Sequence, residues 1–235
     1  MELQNDINQY KSKEIVRLTV LTNICRMLVR RGYLSYEKYK MDSKSTENKI
    51  NVSKFDTIDN NKFIKFIGTK NELNVYKIDL DTPYINHDVS NDKFNGNSVI
   101  VKIIPQSVKD VSNKHILNDF LKTYKSYHKI FVFDSFSYRV YTYINSMYNS
   151  EVYQEHELMI DLMSHISAPI ECSIIQKTDI SHIVNPKLCK ILENDPLARY
   201  YNAKKGNILR ILRASLSNSV DICLRAVVEP KQVFG

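Results

Sequence analysis

The stretch Asp195-Pro196-Leu197-Ala198-Arg199-Tyr200-Tyr201-Asn202-Ala203-Lys204-Lys205-Gly206-Asn207-Ile208-Leu209-Arg210-Ile211-Leu212-Arg213 decides how the last third of the chain folds. Asp195 before Pro196 is a helix start, because the Asp carboxylate accepts from free backbone N–H groups and Pro carries the φ that the first helical position needs. A short helix over Pro196–Tyr201 is therefore expected. Gly206 suits a tight turn, where a side chain is costly if φ is positive, and Ile208–Leu212 then reads as a strand. Between Pro196 and Arg213 lie five cations, Arg199, Lys204, Lys205, Arg210 and Arg213, and no acidic residue.

On either side of it, the runs Ile170–Ile175 and Ile222–Val228 have the same short apolar texture between turn residues, with short helical candidates between them. A compact mixed β module over 154–235 is the simplest account. Upstream the texture changes. Lys11–Arg31 is one helix, with Leu21, Ile24, Cys25 and Leu28 on one stripe, Arg26, Arg30 and Arg31 near its end and Gly32 placed to take the left-handed C′ conformation. Lys38–Asn61 reads as a long polar loop. Lys62–Ile67 and Leu73–Leu80 around Gly68-Thr69-Lys70-Asn71 suggest a hairpin, and a second loop runs from Asp81 to Asn97. A strand over Ser98–Ile104 ending at Pro105, a helix over Val111–Tyr127 and a strand over Ile130–Phe133 then form a small α/β layer. Tyr138–Tyr153 is open between helix and strand. The expected class is mixed α/β, in two domains, 1–153 and 154–235.

Of 235 residues 43% are hydrophobic and 10% are Tyr or Phe, so a packed core is expected rather than disorder. The formal net charge of +7, carried mainly before Tyr153, favours polyanionic surroundings, either nucleic acid or an acidic protein surface. Cys25, Cys172, Cys189 and Cys223 form no C-x-x-C pair and lie in apolar runs, which suits reduced core thiols. No apolar leader and no apolar stretch of about 18 residues is seen, so neither secretion nor a membrane span is expected.

Glu155-His156-Glu157-Leu158 followed by the Asp195–Tyr201 segment resembles the C-terminal assembly domain of the fifth subunit of eukaryotic-type multi-subunit RNA polymerases, whose shorter archaeal counterpart is that module alone. Lys204-Lys205-Gly206-Asn207-Ile208-Leu209-Arg210-Ile211-Leu212-Arg213 and Leu224-Arg225-Ala226-Val227-Val228 continue the resemblance. Arg17-Leu18 through Arg31-Gly32-Tyr33-Leu34 is similar to the first helix of the family's N-terminal jaw domain. Two departures stand out. The family's Arg-Pro-Ser-Glu turn is here Arg213-Ala214-Ser215-Leu216, and Asp134–Arg139 replaces the segment that approaches downstream DNA.

The resemblance implies a non-catalytic polymerase subunit without a cofactor, its jaw a trimmed restriction-nuclease-like α/β core. Its implied partners are the largest polymerase subunit, other polymerase subunits and, non-specifically, downstream duplex DNA. It also implies an intracellular location: the nucleus for a cellular source, or host cytoplasm and virion for a viral one, towards which the Asn-, Lys- and Ile-rich composition leans. His156, Glu157, Asp195, Arg199, Tyr200, Lys204, Lys205, Arg210 and Arg213 are the expected partner interface. The plainer reading is a solvated basic face, with His156 a structural residue in a strand and Tyr200 filling core. Arg30, Arg31, Lys109 and Lys114 are the cations expected near phosphate, against the same plain alternative.

The competing class is a stand-alone nucleic-acid-binding or nuclease-like protein. No phosphate-cradling Gly loop, zincin motif or zinc-finger spacing occurs. A nuclease core would need a carboxylate on one strand and D/E-x-K on the next to hold Mg²⁺. Ile100-Val101-Lys102 places Ile where that acid belongs, and Asp79 and Asp81 read as solvated acids at a hairpin end.

Overall fold

The computed structural model describes residues 13–35, 67–72, 74–84, 94–109, 114–147, 149–175, 188–215 and 219–229. They fall into two compact units, one within Met1–Ile160 and the other within Asp161–Gly235. The division lies seven residues beyond the 153/154 boundary expected from sequence, so that Glu155–Leu158 goes with the first unit. Both units carry a mixed sheet with helices, a mixed α+β architecture.

Unit 1 opens with helix α1, Lys13–Arg30. Its end is set as the sequence suggests. Gly32 takes φ +82°, the Gly32 N–H donates to Val29 O and the Tyr33 N–H to Leu28 O, a Schellman closure that satisfies carbonyls of the last turn.

The sheet follows. Strands β1 (Ile67–Glu72) and β2 (Val75–Asp79) form an antiparallel hairpin. The turn lies between the paired residues Glu72 and Val75, not at Gly68–Asn71: Asn74 adopts a positive φ suited to a tight connection, and Gly68–Asn71 is absorbed into β1. Residues 62–66 and the loop over 38–61 lie outside the described residues.

Strand β3 (Asn95–Val108) runs antiparallel to β2 and parallel to β4 (Tyr127–Phe136), with helix α2 (Lys114–Thr123) between them in sequence. Helix α3 (Tyr138–Asn145) leads to β5 (Ser150–Gln154), which is parallel to β4. The ambiguous stretch 138–153 is thus helix and then strand, parted at Asn149 with φ +57°. Ser137 caps α3 and separates it from β4.

Strand β3 passes through Pro105 instead of ending there. Pro has no N–H to give a ladder. Its cost is avoided because β2 pairs β3 only as far as Lys102, and the β3–β4 register is irregular between Ile104 and Ser107. The inner strands are near-continuous apolar runs, Val99-Ile100-Val101 and Ile130-Phe131-Val132-Phe133, as strands covered on both faces require. Phe131 and Phe133 pack with Leu117 and Phe120 of α2 and Val140 and Ile144 of α3. Ile130 and Val132 alternate to the opposite face, where His128 meets Arg31 from the end of α1.

Unit 2 is built on strands β6 (Glu171–Ile175), β7 (Cys189–Leu192), β8 (Ile208–Ser215) and β9 (Ser219–Val228), in the order β6-β8-β9-β7. Neighbours are antiparallel except β7 and β9, which are parallel. Strand β7 has no counterpart among the expected strands. Helix α4 (Pro196–Tyr200) stands where the Asp195-Pro196 start puts it, and Gly206 has φ +89°. The expectation for the cysteines needs correction. Cys25 and Cys172 are buried, but Cys189 on edge strand β7 is exposed and Cys223 on β9 is half-buried.

Candidate functional site

In unit 2, α4 and the turn after it arrange the expected interface residues. The Asp195 carboxylate accepts from the Leu197 N–H (2.9 Å) and starts the helix, so its role here is capping. Buried Tyr200 donates its hydroxyl to the Asp161 carboxylate (2.8 Å), which also accepts from the Met163 N–H (3.3 Å). Tyr200 thereby anchors α4 to the turn Leu162–Ser164, and its ring meets Tyr201 at 5.4 Å between centroids. Arg199, on the same helix, is half-buried.

The cations that follow meet acids from elsewhere in the chain. Lys204 Nζ lies 3.4 Å from Glu193 Oε1, Lys205 Nζ 3.2 Å from Glu229 Oε1 and Arg210 Nη1 3.2 Å from Glu171 Oε1. Arg213 is exposed and stands opposite Asp221 in the β8–β9 register. The run without acidic residues in sequence is therefore laced with carboxylates in space. Such exposed pairs give orientation more than stability.

His156 and Glu157 fall in unit 1, in the 3-10 turn Glu155–Leu158, and not in a strand. The Glu157 carboxylate accepts from the Gln154 N–H (2.7 Å), which starts the turn, while His156 is exposed. Asn23 of α1 donates to Leu158 O (2.8 Å) and pins the turn to the helix.

Of the cations expected near phosphate, Lys109 is exposed just past β3, Lys114 is the first residue of α2 and Arg30 is half-buried at the end of α1. Arg31 is elsewhere. Its guanidinium holds both oxygens of Glu151 at 2.8 Å, with side-chain exposures of 2% and 4%, and donates to Tyr84 OH (2.7 Å) and Tyr153 OH (3.0 Å). A guanidinium enclosed in this way is not presented to phosphate. This corrects the expectation for Arg31, whose place in the last helical turn pointed to solvent.

Sequence reasoning missed the cluster that Arg31 joins. Tyr84 and Tyr153 donate to Glu151 at 3.2 and 2.8 Å, and His128 Nε2 lies 2.6 Å from Glu151 Oε1. The rings of Tyr33, Tyr84 and His128 stack in turn, at 3.9 Å between successive centroids. Burial alone would raise the Glu151 carboxyl, but the Arg31 charge and the bonds from His128 and Arg31 outweigh it and hold it well below the usual carboxylate range. Burial lowers His128, against the pull of Glu151, and raises Tyr84 well above the usual phenol. The one signal available was an acid next to the apolar Val152 in the short strand β5.

Among the described residues no group of three or more His, Cys, Asp or Glu could hold a metal ion. Asp79 is exposed at the end of β2, 3.0 Å from Lys77 Nζ and accepting from Ser98 Oγ at 2.8 Å, and Asp81 is exposed and accepts from the Ser35 N–H at 2.8 Å. No helix among the described residues is long and apolar enough to cross a membrane.

Fold and site define a mixed α+β protein of two units, whose conspicuous polar groups cap helices, pair at the surface or lock one buried cluster. Residues 171–227 match the family described as RNA polymerase Rpb5, C-terminal domain. Over 142 residues the chain is 33% identical to "DNA-directed RNA polymerase subunit 5" of Acanthamoeba polyphaga mimivirus, covering 57% of this chain and 67% of that protein. The chain belongs to the Rpb5 family of RNA polymerase subunits, as a divergent member similar to the viral one.

Proposed function

We propose that the chain works in transcription as a non-catalytic subunit of DNA-directed RNA polymerase, assembling through unit 2 and shaping the downstream DNA cleft with unit 1. The observation that carries this reading is a coincidence of bounds. The family match over 171–227 runs from the first residue of β6 to the next-to-last of β9, so the shared sequence is the sheet of unit 2 and the elements within it.

On this reading unit 2 is an assembly domain that docks the largest polymerase subunit. Arg199 and Arg213 face that partner, with Lys204, Lys205 and Arg210 at the rim, where their glutamate partners can be exchanged for carboxylates across the interface. Asp195 and Tyr200 act behind them by fixing α4. Exposed His156 adds a hydrogen-bonding group, and Glu157 serves by shaping its turn. Unit 1 is a jaw domain beside downstream duplex DNA, where Lys109, Lys114 and Arg30 offer non-specific, salt-sensitive phosphate contacts. The protein works inside the cell, in the nucleus for a cellular source or in host cytoplasm and virion for a viral one.

An affinity pull-down of the tagged full chain, with partners identified by mass spectrometry, tests the reading. The two largest polymerase subunits are expected at near-equal stoichiometry. A chain recovered alone that cuts DNA with Mg²⁺ would sink the proposal in favour of a stand-alone nuclease. Arg199→Glu and Arg213→Glu test the interface more finely: assembly is lost while the circular dichroism stays native, and unchanged assembly rules that surface out.

A further inference from the structure

In unit 1 the imidazole of His128 is enclosed. Nε2 meets Glu151 Oε1 at 2.6 Å, and the ring stacks on Tyr84, which stacks on Tyr33. Nδ1 is fully buried and has no hydrogen-bond partner among the described residues. Among the described residues, the titratable and charged groups around it are Glu151 and Tyr153 from β5, Arg31 and Tyr33 from just past the end of α1, Tyr84 from the segment before β3 and Lys129 from β4 itself. Lys129 donates Nζ to Tyr127 O (2.8 Å), and burial brings it down to about 8.

We propose that this cluster is a proton-sensitive latch: with His128 neutral it holds the end of α1 and the segment Leu80–Tyr84 to the sheet, and protonation of His128 releases them. The geometry supplies the reason. With neutral imidazole, Nε2–H donates to Glu151, and the buried charge of Arg31 against Glu151 sums to zero. A second proton changes two things at once. It places another cation beside Arg31 in an enclosed site, and it turns Nδ1 into a donor that has no acceptor. Glu151 cannot compensate, since it already accepts from Arg31, Tyr84 and Tyr153. The ring face of Tyr84 attracts a cation, but less than an orphan donor and a repelling guanidinium disfavour one.

What the latch holds is also specified. Tyr33 O accepts from the Asp81 N–H (3.0 Å) and the Thr82 N–H (3.2 Å), and the Tyr84 N–H donates to Gly96 O (2.9 Å). Gly96 has no room for a side chain there, since a Cβ would lie 2.5 Å from Tyr84 O. The Tyr33–Tyr84–His128 stack therefore joins the helix end, the loop and β4. A histidine lowered on folding gives stability that is complete above its unfolded value, about 6.5, and is lost as pH falls below it.

The test is amide hydrogen exchange of the full chain at Asp81 and Thr82 between pH 7 and pH 5.5, corrected for intrinsic rates, in the natural chain and in His128→Phe. Opening is expected to become about tenfold more frequent at pH 5.5 in the natural chain. It should not change in the variant, which keeps the stacked ring but takes no proton. Equal pH dependence in both, or none in the natural chain, overturns the latch. Should His128→Phe fail to fold, ring ¹⁵N spectra of the natural chain decide: the Nε2–H tautomer persisting below pH 6 supports the latch, and an imidazolium or an Nδ1–H tautomer at pH 7 overturns it.

Discussion

Arg31 in unit 1 and Arg210 in unit 2 each meet one glutamate, and their surroundings give the two pairs opposite meanings. Arg31 and Glu151 sit at 2% and 4% side-chain exposure with two tyrosines and a histidine filling the remaining valences. Arg210 and Glu171 are 37% and 58% exposed, single-contact and open to solvent ions. Water screens the second pair and cannot reach the first. The lesson is that a cation read from sequence carries no role until its exposure is known. The buried pair is enclosed by the fold, and the exposed pairs stand in solvent.

The largest effect should come from the buried side. Glu151→Ala leaves the Arg31 charge enclosed without a counter-charge, and a loss of about 3–5 kcal/mol is expected in urea unfolding followed on unit 1. A loss below about 1 kcal/mol would erase the contrast between the units. Next in size is Tyr200→Phe in unit 2, which removes one buried donor from Asp161 and should cost about 1–3 kcal/mol in the same assay. That outcome would sharpen the comparison by showing that unit 2 also depends on buried polar bonds beneath its ion-paired surface. Asp195→Ala removes the cap of α4 and is expected to cost about 1 kcal/mol, with Asp195→Asn nearly silent. If Asn does not rescue, the carboxylate has a role beyond the cap.

The smallest effect belongs to the surface. Lys205→Ala should change stability by less than about 1 kcal/mol and by less still in high salt. A large, salt-resistant loss would show that the exposed pairs are structural after all, and would weaken the case for that face as an interface.

Much of the fold was legible because its signals are local. Gly32, Asp195-Pro196 and Gly206 each mark a backbone need that only nearby atoms decide, and the structure places all three as read. The hairpin turn was misplaced because Gly68-Thr69-Lys70-Asn71 is turn-like by composition, while Asn74 supplied the conformation actually used. Strand β7 was missed because Cys189-Lys190-Ile191-Leu192 is short and pairs in parallel with β9, a partner far along the chain. Of the candidate interface, the capping role of Asp195 and the core role of Tyr200 could be read, whereas the glutamates that meet Lys204, Lys205 and Arg210 could not.

By itself the sequence determined the end of α1, the start of α4, the apolar runs of the inner strands, and a family likeness dense enough to reach from Glu155 to Val228. The tertiary structure alone decided that Arg31 turns inward and that Tyr84, His128, Glu151 and Tyr153 converge on it. Glu151 is 120 residues away from Arg31 along the chain, and only the packing of the end of α1 against the sheet brings them within 2.8 Å. Local propensity acts over a few residues. Which polar groups become neighbours is set by how strands pair and how the helix end and loop pack on them across the whole unit, so a cluster of this kind is a property of the packed fold.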